Sequence, residues 1–483
     1  MGDLREVVIV DAIRTPMGRS GWKAATKKGI HYYSTAQEMT AQVLKAIVER
    51  AKYMSSSFDP NEIEDVAFGC SAQFGEQGGN LGRIGVLVAD LPDSIAGQTI
   101  DRYCNAGLQA VNSQAMAIAT GAGDIMIAGG TEFLSRYPLG SSLSAVYFAK
   151  KSDKPYSHRI HKHFMKKSTI MGNSAELIAD QYKITREELD DVAVYSHQQA
   201  TKANRDTEFY NRRICPLKTT QFEEIAPGRT KSVRDENGNI KYIRALKDET
   251  PRSMYLDEPD AAREKLKALK PRFRPVGGIV TAGNSSAIVD GSSAVLLMSR
   301  DKADELGIKP LCTYVSSAVE GSDPIFMLLG PVPAMYKALK RAKKKMEDMN
   351  VIEPNEAFAS PVVAFAKEFG YDYLDPRQNP LGGGISIGHP IGCSGSMYFG
   401  EMCWALVKRN QEWGIQTLCG GGGVGIATVV KRDKGETPTA LKIPHDWAIA
   451  EKINYDIPAK QAERGIVDNK MMLPDLIKKY GPL

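Results

Sequence analysis

Cys104 lies in the stretch DRYCNAGLQAVNSQAMAI, where an extended segment gives way to a helical pattern. The short strand QTI precedes it, and a helix begins near Gly107. Unpaired backbone N–H groups and the helix dipole at such a junction favour a thiolate, the nucleophilic form of cysteine. The alternative is a small buried residue that fills a strand-to-helix corner. Asn105 and Gly107 favour the nucleophile, because glycine lets the backbone approach a substrate closely.

A histidine suited to activating this thiol lies far downstream, in NPLGGGISIGHPIGCSGSM. His389 stands between Gly388 and Pro390 in a glycine-rich turn before a helix, and the chain has only seven histidines. A loop histidine that meets a loop cysteine accepts the thiol proton. A capping or core histidine is the alternative interpretation.

Two further stretches place polar groups at strand ends. Cys419 ends an apolar strand in TLCGGGGVGIATVV. These glycines do not indicate a dinucleotide site, because strand-like VGIATVV follows where such a site needs a helix. They instead free backbone N–H groups to face a developing negative oxygen. In EPNEAFASP, Asn355 and Glu356 can position a water molecule or polarise a carbonyl, with ordinary turn chemistry as the alternative.

The elements that must position these residues are predicted twice along the chain. The first half has a strand at about Glu6 to Val10, a helix in STAQEMTAQVLKAIVERA, a strand in IEDVAFGC, a helix after Cys104 and a strand in DIMIAGG. The same order recurs from about residue 311 in LCTYVSSAV, VPAMYKALKRAKKKMED, MNVIEPNEAF, GCSGSMYFGEMCWALVKR and TLCGGGGVGIATVV. This predicts a duplication of α/β units, with two parallel-rich sheets and a catalytic crevice where their loops meet.

Composition excludes several classes of protein. The 483 residues, of which 42% are apolar and 25% charged, are typical of a globular protein of two or three domains. A formal net charge of +5 is too small for a nucleic-acid-binding surface. The seven cysteines include no CxxC pair, which indicates reduced thiols. With no signal-peptide pattern and no apolar run long enough to span a membrane, we expect a cytoplasmic protein without a membrane partner.

Taken together, the four stretches resemble the motifs of the thiolase family. The segment around Cys104 resembles the nucleophile motif, NEAF the characteristic tetrad, GHPIGCSG the histidine loop and CGGGGVGIA the second cysteine loop. Further matches are VDAIRTPMGR, GEQGGNLGR, AGG followed by Thr131 and Glu132, MGNSAE, SHQQA, DETPR and TAGNSSAIVDG. The resemblance covers about residues 6–430 and keeps the order of the family motifs.

The resemblance implies the thiolase fold, an α/β fold in which duplicated βαβαβ halves form a five-layer αβαβα core with an inserted loop domain. We expect residues 1–135 and 276–300 to form the N-terminal half and residues 301–431 to form the C-terminal half. Residues 136–275 would be the loop domain that binds CoA. Residues 432–483, with five prolines and little periodicity, would be a C-terminal arm.

The implied activity is CoA-dependent cleavage of a 3-oxoacyl-CoA to acetyl-CoA, or another acyl-CoA, and a shortened acyl-CoA by a reversible ping-pong reaction. Cys104 would be the nucleophile and His389 the base that takes its proton. Cys419 would protonate the acetyl-CoA enolate. Asn355 would hold a water that forms one oxyanion hole with His389, and the N–H groups of Cys104 and Gly421 would form the other.

The resemblance also implies a site for coenzyme A, a co-substrate; no tightly bound cofactor or metal is expected. The run KKSDKPYSHRIHKHFMKK carries seven Lys or Arg residues against one Asp and suits phosphate groups, although most charge runs are solvated loops. Ala282 and Ser286 match family positions that line the pantetheine, and Met171 matches a segment near the acyl pocket. The residues expected to contact acyl-CoA are Met171, Arg159, Lys162, Ala282 and Ser286.

Departures from the family pattern leave alternatives open. Cys393 stands where alanine is common and would place a third thiol close to His389, and CNAG replaces the commoner serine or glycine after the nucleophile. The alternatives are a biosynthetic, acetoacetyl-CoA-forming thiolase and a thiolase-derived subunit that needs a partner protein. A decarboxylating ketosynthase shares the fold but uses a second histidine where this chain has NEAF. The family forms dimers and tetramers, so we expect a homodimer or homotetramer.

Overall fold

The computed structural model describes residues 4–20, 29–139, 141, 170–226 and 229–444. Among these residues it contains fourteen strands and twelve α-helices. The strands are β1 (Val7–Arg14), β2 (Gly18–Arg19), β3 (Ile63–Gly69), β4 (Ala96–Ile100), β5 (Ile125–Phe133), β6 (Leu217–Thr220), β7 (Phe222–Ala226), β8 (Arg229–Ser232), β9 (Tyr242–Ala245), β10 (Val289–Ser299), β11 (Cys312–Gly321), β12 (Val351–Pro354), β13 (Trp413–Gly420) and β14 (Val424–Lys431).

The helices connect these strands in the predicted order, and several of them cover the faces of the sheets. They are α1 (Ala36–Met54), α2 (Leu81–Val88), α3 (Ala106–Ala119), α4 (Met171–Gln181), α5 (Arg186–Arg205), α6 (Thr207–Arg213), α7 (Met254–Asp257), α8 (Pro259–Lys267), α9 (Arg300–Glu305), α10 (Pro331–Arg341), α11 (Ala359–Phe369) and α12 (Ile391–Lys408). Within the described ranges, every helix is too short or too polar to cross a lipid bilayer.

Local sequence explains why α1 begins where it does. The Thr35 hydroxyl accepts a hydrogen bond from Glu38 N at 3.1 Å, and the Glu38 carboxylate accepts one from Thr35 N at 2.9 Å. This capping box satisfies backbone donors that the first turn leaves unpaired. Apolar side chains at helical spacing, including Met39, Val43 and Ile47, are then buried against the sheet.

The sheets are mixed, so the prediction of parallel-rich sheets is wrong. The N-terminal sheet has the order β4-β3-β5-β10-β1. In it, β3 is parallel to β4 and β5, whereas β10 is antiparallel to β5 and β1. In the C-terminal sheet, β12-β13-β14-β11, β12 and β13 are parallel and the other pairs are antiparallel. The reason is that β10 and β14 each return beside the preceding strand of their unit.

The stretch TLCGGGGVGIATVV is a hairpin, although its pattern predicts a single strand. β13 ends at Gly420 and β14 begins at Val424, with Cys419 paired to Gly425 across the ladder. Gly422 and Gly423 reverse the chain with φ angles of +77° and +82°. Such a turn suits the right-handed twist of the two strands.

The predicted duplication of α/β units is confirmed by strand order and helix placement. The order β3-β5-β10-β1 in the first sheet corresponds to β12-β13-β14-β11 in the second. The equivalent strands β1 and β11 pair antiparallel, which joins the sheets. The equivalent helices α3 and α12 pack against each other and contact strands of both sheets. α1 and α2 cover the outer face of one sheet and α10 that of the other. Phe365 of α11 packs with Ile352 and Ile415 of the second sheet, which completes the five layers.

A close crossing of α3 and α12 lies at the centre of the molecule. A Cβ atom at Gly107 would lie 2.8 Å from both Gly392 O and Ser396 N, and one at Gly395 would lie 2.1 Å from Leu108 N. Both distances are too short for any other residue, so glycine is required where the two helices touch. The crossing fixes the loops that precede the two helices relative to each other.

A buried ionic cluster ties both units to the segment between β5 and β10. Arg14 of β1 donates from Nε to Glu401 of α12 at 2.5 Å and binds Asp248 at 2.7 and 2.9 Å. Arg213 of α6 pairs with the other Glu401 oxygen. The Arg14, Arg213, Glu401 and Asp248 side chains are at most 2% exposed. Because water does not reach these side chains, each buried charge is compensated by the opposite charge of its partner.

We expect Glu401→Gln to destabilise the fold by about 3–5 kcal/mol, since it leaves two buried guanidinium groups without their shared carboxylate. The measurement is the denaturant-induced unfolding of the purified variant. The matched control is Asp257→Asn, which breaks the exposed Arg205–Asp257 pair and should leave the transition unchanged. Equal transitions for both variants would contradict a stabilising role of the cluster.

Candidate active site

Cys104 stands at a strained turn between β4 and α3. The residue before it, Tyr103, has a φ angle of +52°, in the left-handed region that a bulky side chain rarely adopts. The residue after it, Asn105, is the N-cap of α3. Backbone strain of this kind occurs at functional sites, where the surrounding structure holds it in place. The thiol of Cys104 is thereby presented at the helix N-terminus, as the sequence predicts.

Burial opposes the thiolate that the helix N-terminus favours at Cys104. Burial raises the pKa of the thiol well above its ordinary value, and the nearby Cys419 thiol raises it further. The sequence pattern shows the helix N-terminus but not the layers that exclude water from it. At neutral pH the cysteine is therefore a thiol, which must lose its proton to a base before it can attack.

An apolar cluster surrounds the Cys104 thiol. Leu134 after β5 and Ile391 at the start of α12 are buried with it, and Met171 and Ile288 pack against the same cluster. Met171, which matches a family segment near the acyl pocket, thus packs beside Cys104. Ile391 follows His389 by two residues, so the cluster also joins the cysteine loop to the histidine loop. A group bound covalently to the Cys104 sulfur contacts apolar side chains on this side of the site.

His389 is held by its other ring nitrogen and leaves Nε2 without a protein partner. Nδ1 lies 2.6 Å from Ser394 Oγ, and the Ser394 hydroxyl donates to Pro390 O at 3.0 Å. Because that hydroxyl has one proton, Nδ1–H is the donor to Ser394 and Nε2 carries the lone pair. Burial lowers the pKa of His389 to about 4, so the ring is neutral at pH 7. Nε2 is buried and unpaired, as a proton acceptor must be before substrate arrives.

The loop that carries His389 is braced by the segment of Ser286 and Ala287. His389 N donates to Ala287 O at 2.9 Å, and Ala287 N donates to Gly384 O at 3.0 Å. Ser286 N donates to Ala357 O at 3.0 Å. The Ser286 side chain is partly exposed and Ala282, at the start of this segment, is exposed. Ser286, beside the histidine loop, and Ala282, four residues before it, are both accessible to solvent and are two of the residues expected to contact CoA.

Asn355 and Glu356 are adjacent, but only the Glu356 side chain has hydrogen-bond partners within the part of the protein that the structure describes. Both amide atoms of Asn355 are buried and have no hydrogen-bond partner, at the end of β12. Glu356 accepts hydrogen bonds from Ser196 Oγ at 2.6 Å, Asn379 Nδ2 at 2.6 Å and Ile385 N at 3.1 Å. Glu356 thus fixes the glycine-rich loop, and Asn355 has a free amide for a water molecule or a substrate oxygen.

Cys419 and Gly421 lie on the β13–β14 hairpin, across from the turn of Cys104. Burial raises the pKa of Cys419 to about 12, which keeps its thiol protonated and able to act as an acid. Gly421 is in the hairpin turn, and a Cβ atom there would lie 3.6 Å from the Tyr103 ring. The second thiol and the glycine turn therefore both lie near the nucleophile segment. The sequence indicates this proximity only through the resemblance of the two segments to family motifs.

One supporting residue, Glu132, has no role predicted from the sequence. Glu132 accepts hydrogen bonds from Ser71 N at 3.0 Å, Ala72 N at 3.1 Å and Gly392 N at 2.8 Å, and so ties β5 to the N-terminus of α12. Its place after AGG is the only sequence signal for it. The Cys393 thiol, which the sequence places close to His389, donates a hydrogen bond to Ser293 Oγ at 3.3 Å and not to the histidine.

Two of the residues expected to bind CoA, Arg159 and Lys162, lie outside the described residues. Within the described ranges, no group of three or more His, Cys, Asp or Glu side chains is arranged to hold a metal ion.

A structure with these features is an acyltransferase, and comparison with known proteins gives its family. The description "Thiolase, N-terminal domain" matches residues 7–301, and "Thiolase, C-terminal domain" matches residues 308–432. The chain belongs to the thiolase family.

Individual relatives agree with this assignment. The chain is 38% identical over 430 residues to a 3-ketoacyl-CoA thiolase of Aliivibrio fischeri, covering 89% of this chain and 100% of that relative. It is 37% identical over 432 residues to a 3-ketoacyl-CoA thiolase of Idiomarina loihiensis, with the same coverage. Among solved structures, the Bacillus anthracis acetyl-CoA acetyltransferase is 34% identical, with a TM-score of 0.74 over 89% of this chain and 100% of that chain.

We expect Ser394→Ala to lower the rate of acyl transfer to Cys104 about two- to tenfold, because loss of the Nδ1 acceptor frees the imidazole to rotate and change tautomer. The rate is measured by rapid quench of acyl-enzyme formation. Ser396→Ala is the matched control: Ser396 lies on the same helix but donates to Cys393 O, not to the histidine. A rate for Ser394→Ala equal to that of the control would contradict the role of Ser394.

Alkylation of Cys104 by iodoacetamide should be slow near pH 7 and should rise with pH without a plateau up to about pH 9, because burial raises the pKa of the thiol above its ordinary value. Mass spectrometry of the Cys104 peptide gives the rate, and Cys104→Ala serves as the blank. A plateau reached below pH 8 would mean a pre-formed thiolate and would contradict the neutral thiol.

Proposed function

We propose that this thiolase cleaves 3-oxoacyl-CoA thioesters with CoA, releasing acetyl-CoA or another acyl-CoA and a shortened acyl-CoA. The observation that carries the proposal is a set of buried polar groups with no protein partner, His389 Nε2 and both amide atoms of Asn355. Buried polar atoms are nearly always hydrogen-bonded, so a site that leaves these free is built to receive a ligand. The names of the relatives, 3-ketoacyl-CoA thiolase, support the same substrate class.

In the first half-reaction the Cys104 sulfur attacks the 3-oxo carbonyl while its proton passes to His389 Nε2. The bond between C2 and C3 then breaks, the acyl group stays on sulfur, and the electron pair moves to C2 as the enolate of acetyl-CoA. Cys419 gives its proton to that carbon. The proton on His389 then passes to the Cys419 thiolate, which restores both groups. In the second half-reaction His389 Nε2 takes the proton of the CoA thiol as its sulfur attacks the acyl-enzyme, and Cys104 leaves and takes that proton from His389. In the reverse direction Cys419 acts as the base.

Two oxyanion sites serve these steps. A water held by Asn355, together with His389, stabilises the thioester enolate oxygen. The backbone N–H groups of Cys104 and Gly421 stabilise the oxyanion formed when sulfur attacks. Support for the pairing of Cys104 with Gly421 is the approach of the hairpin turn to Tyr103. Donors of this kind are strong in a site from which water is excluded.

The contacts of the substrate follow from the surroundings of Cys104. The acyl chain lies among Leu134, Met171, Ile288 and Ile391, which form the apolar cluster around the thiol. The pantetheine passes the exposed segment that contains Ala282 and Ser286, and Arg159 and Lys162 stay predicted contacts of the nucleotide phosphates. An apolar acyl pocket suits fatty or aromatic acyl groups and a role in degradation by β-oxidation.

The remaining properties are proposed from the sequence and the state of the thiols. All seven cysteines are free, which suits the reducing cytoplasm. A homodimer or homotetramer stays the proposed assembly, with an accessory protein as a further partner. The division into 1–135 with 276–300, 136–275, 301–431 and 432–483 also stays a prediction.

We expect the purified protein to consume a panel of 3-oxoacyl-CoA thioesters, from acetoacetyl-CoA to long-chain and aromatic ones, only when CoA is present. Cys104→Ala should lower turnover at least about a thousandfold, because it removes the nucleophile. The matched control is Cys215→Ala, a buried cysteine in the main core whose Sγ faces Pro216 O. Loss of the 3-oxothioester absorbance gives the rates. No turnover of any thioester by the wild-type protein would contradict the proposed function.

A further inference from the structure

The side chain of Asn105 bridges the segments of the two thiols. Asn105 follows Cys104 directly and is fully buried. It occupies the N-cap position of α3, but its side chain makes no capping hydrogen bond to that helix. The surrounding donors and acceptors assign the amide nitrogen to the side that faces β13, where it donates to Cys419 O at 2.9 Å and to Leu418 O at 3.1 Å. One amide group therefore joins the residue after the nucleophile to the backbone of the second cysteine.

The backbone of Cys419 lies near the end of β13, where β14 pairs with it on one side. On the other side, β12 pairs with β13 only as far as Pro354 opposite Thr417, and Asn355 N donates to Thr417 O at 2.9 Å. Beyond that point the carbonyls of β13 on this side need another donor. Asn105 supplies it from α3.

The hairpin is shaped to receive this amide. A Cβ atom at Gly420 would lie 2.6 Å from Val424 Cγ1 and 3.1 Å from the terminal amide of Asn105. Glycine at 420 therefore leaves room for both side chains beside β13. The fit explains how CNAG is accommodated in place of the commoner serine or glycine: the larger side chain occupies a space between α3 and the hairpin.

We propose that Asn105 is a positioning residue that sets the location of the Cys419 thiol relative to Cys104. The proposal rests on the proposed function, because it assigns Asn105 to the step in which Cys419 moves a proton to or from the acetyl-CoA carbon. Attack by Cys104 and return of the acyl group to CoA use His389 and do not use Cys419. Loss of the amide should therefore slow proton transfer at carbon and spare acyl transfer.

Two reactions of acetyl-CoA separate these steps. Exchange of labelled CoA into acetyl-CoA reports acyl transfer through Cys104. Exchange of the acetyl methyl protons with D2O, in the presence of the acetylated enzyme, reports proton transfer by Cys419 and is followed by NMR. For Asn105→Ala we expect the ratio of proton exchange to CoA exchange to fall about tenfold, the size of effect that one lost hydrogen bond produces.

Asn112→Ala is the matched control. Asn112 is also buried on α3, two turns further on, and its Oδ1 accepts a hydrogen bond from Thr428 Oγ1 of β14 at 2.8 Å. Its loss weakens the same helix-to-hairpin packing at a distance from the thiols. We expect lower thermal stability for Asn112→Ala and an unchanged ratio of the two exchange rates.

The outcomes are distinguishable. A normal ratio in Asn105→Ala, or an equal fall of both rates, would overturn the positioning role while leaving the thiolase reaction intact. Absence of both exchanges in the wild-type protein would instead contradict the proposed function. If Asn105→Ala fails to fold, Asn105→Ser, which restores the smaller side chain common at this position in the family, gives the same test with a hydroxyl that is too short to reach β13.

Discussion

The close contact between the N-termini of α3 and α12 is the constraint on which the rest of the structure depends. Gly107 and Gly395 allow the two backbones to meet where any side chain would push them apart. Each helix also touches both sheets, so the same contact sets the spacing of the layers. Cys104 precedes one helix and His389 the other. The duplicated unit thus supplies a nucleophile and a base from equivalent positions, brought together by the packing of equivalent helices.

Burial sets the chemical state of the site. It raises the pKa of Cys104 and lowers that of His389, so both groups are neutral before reaction. An ion pair in this environment would carry the cost of removing two charges from water. Charge therefore forms only when the thiol proton moves to the imidazole. The negative charge then passes from sulfur to the oxygen of the acyl group, where oriented N–H groups stabilise it. Cys419, kept protonated in the same way, has a proton to give.

The sequence predicts most of the fold because the apolar periodicity of each helix and strand is local. It also locates Cys104, His389 and Cys419, since each lies at an element end beside glycines. It fails where contacts join distant segments: the bond from Gly392 N to Glu132 spans 260 positions and leaves no local pattern. The raised pKa of Cys104 is absent from the sequence pattern for a related reason, because the helix end that favours a thiolate is local whereas desolvation depends on every layer packed over it.

The β5–β10 connection and the β13–β14 turn occupy the same place in the repeated unit, yet they differ greatly in length. The turn consists of three glycines beside the nucleophile segment, whereas the connection runs through residues 134–288 and carries Met171 and Ser286. Mutations in the part of the connection that carries Met171 leave the contact between Gly107 and Gly395 of the central helices in place. Evolution can therefore change which acyl groups the enzyme accepts without having to reinvent the chemistry that cleaves them.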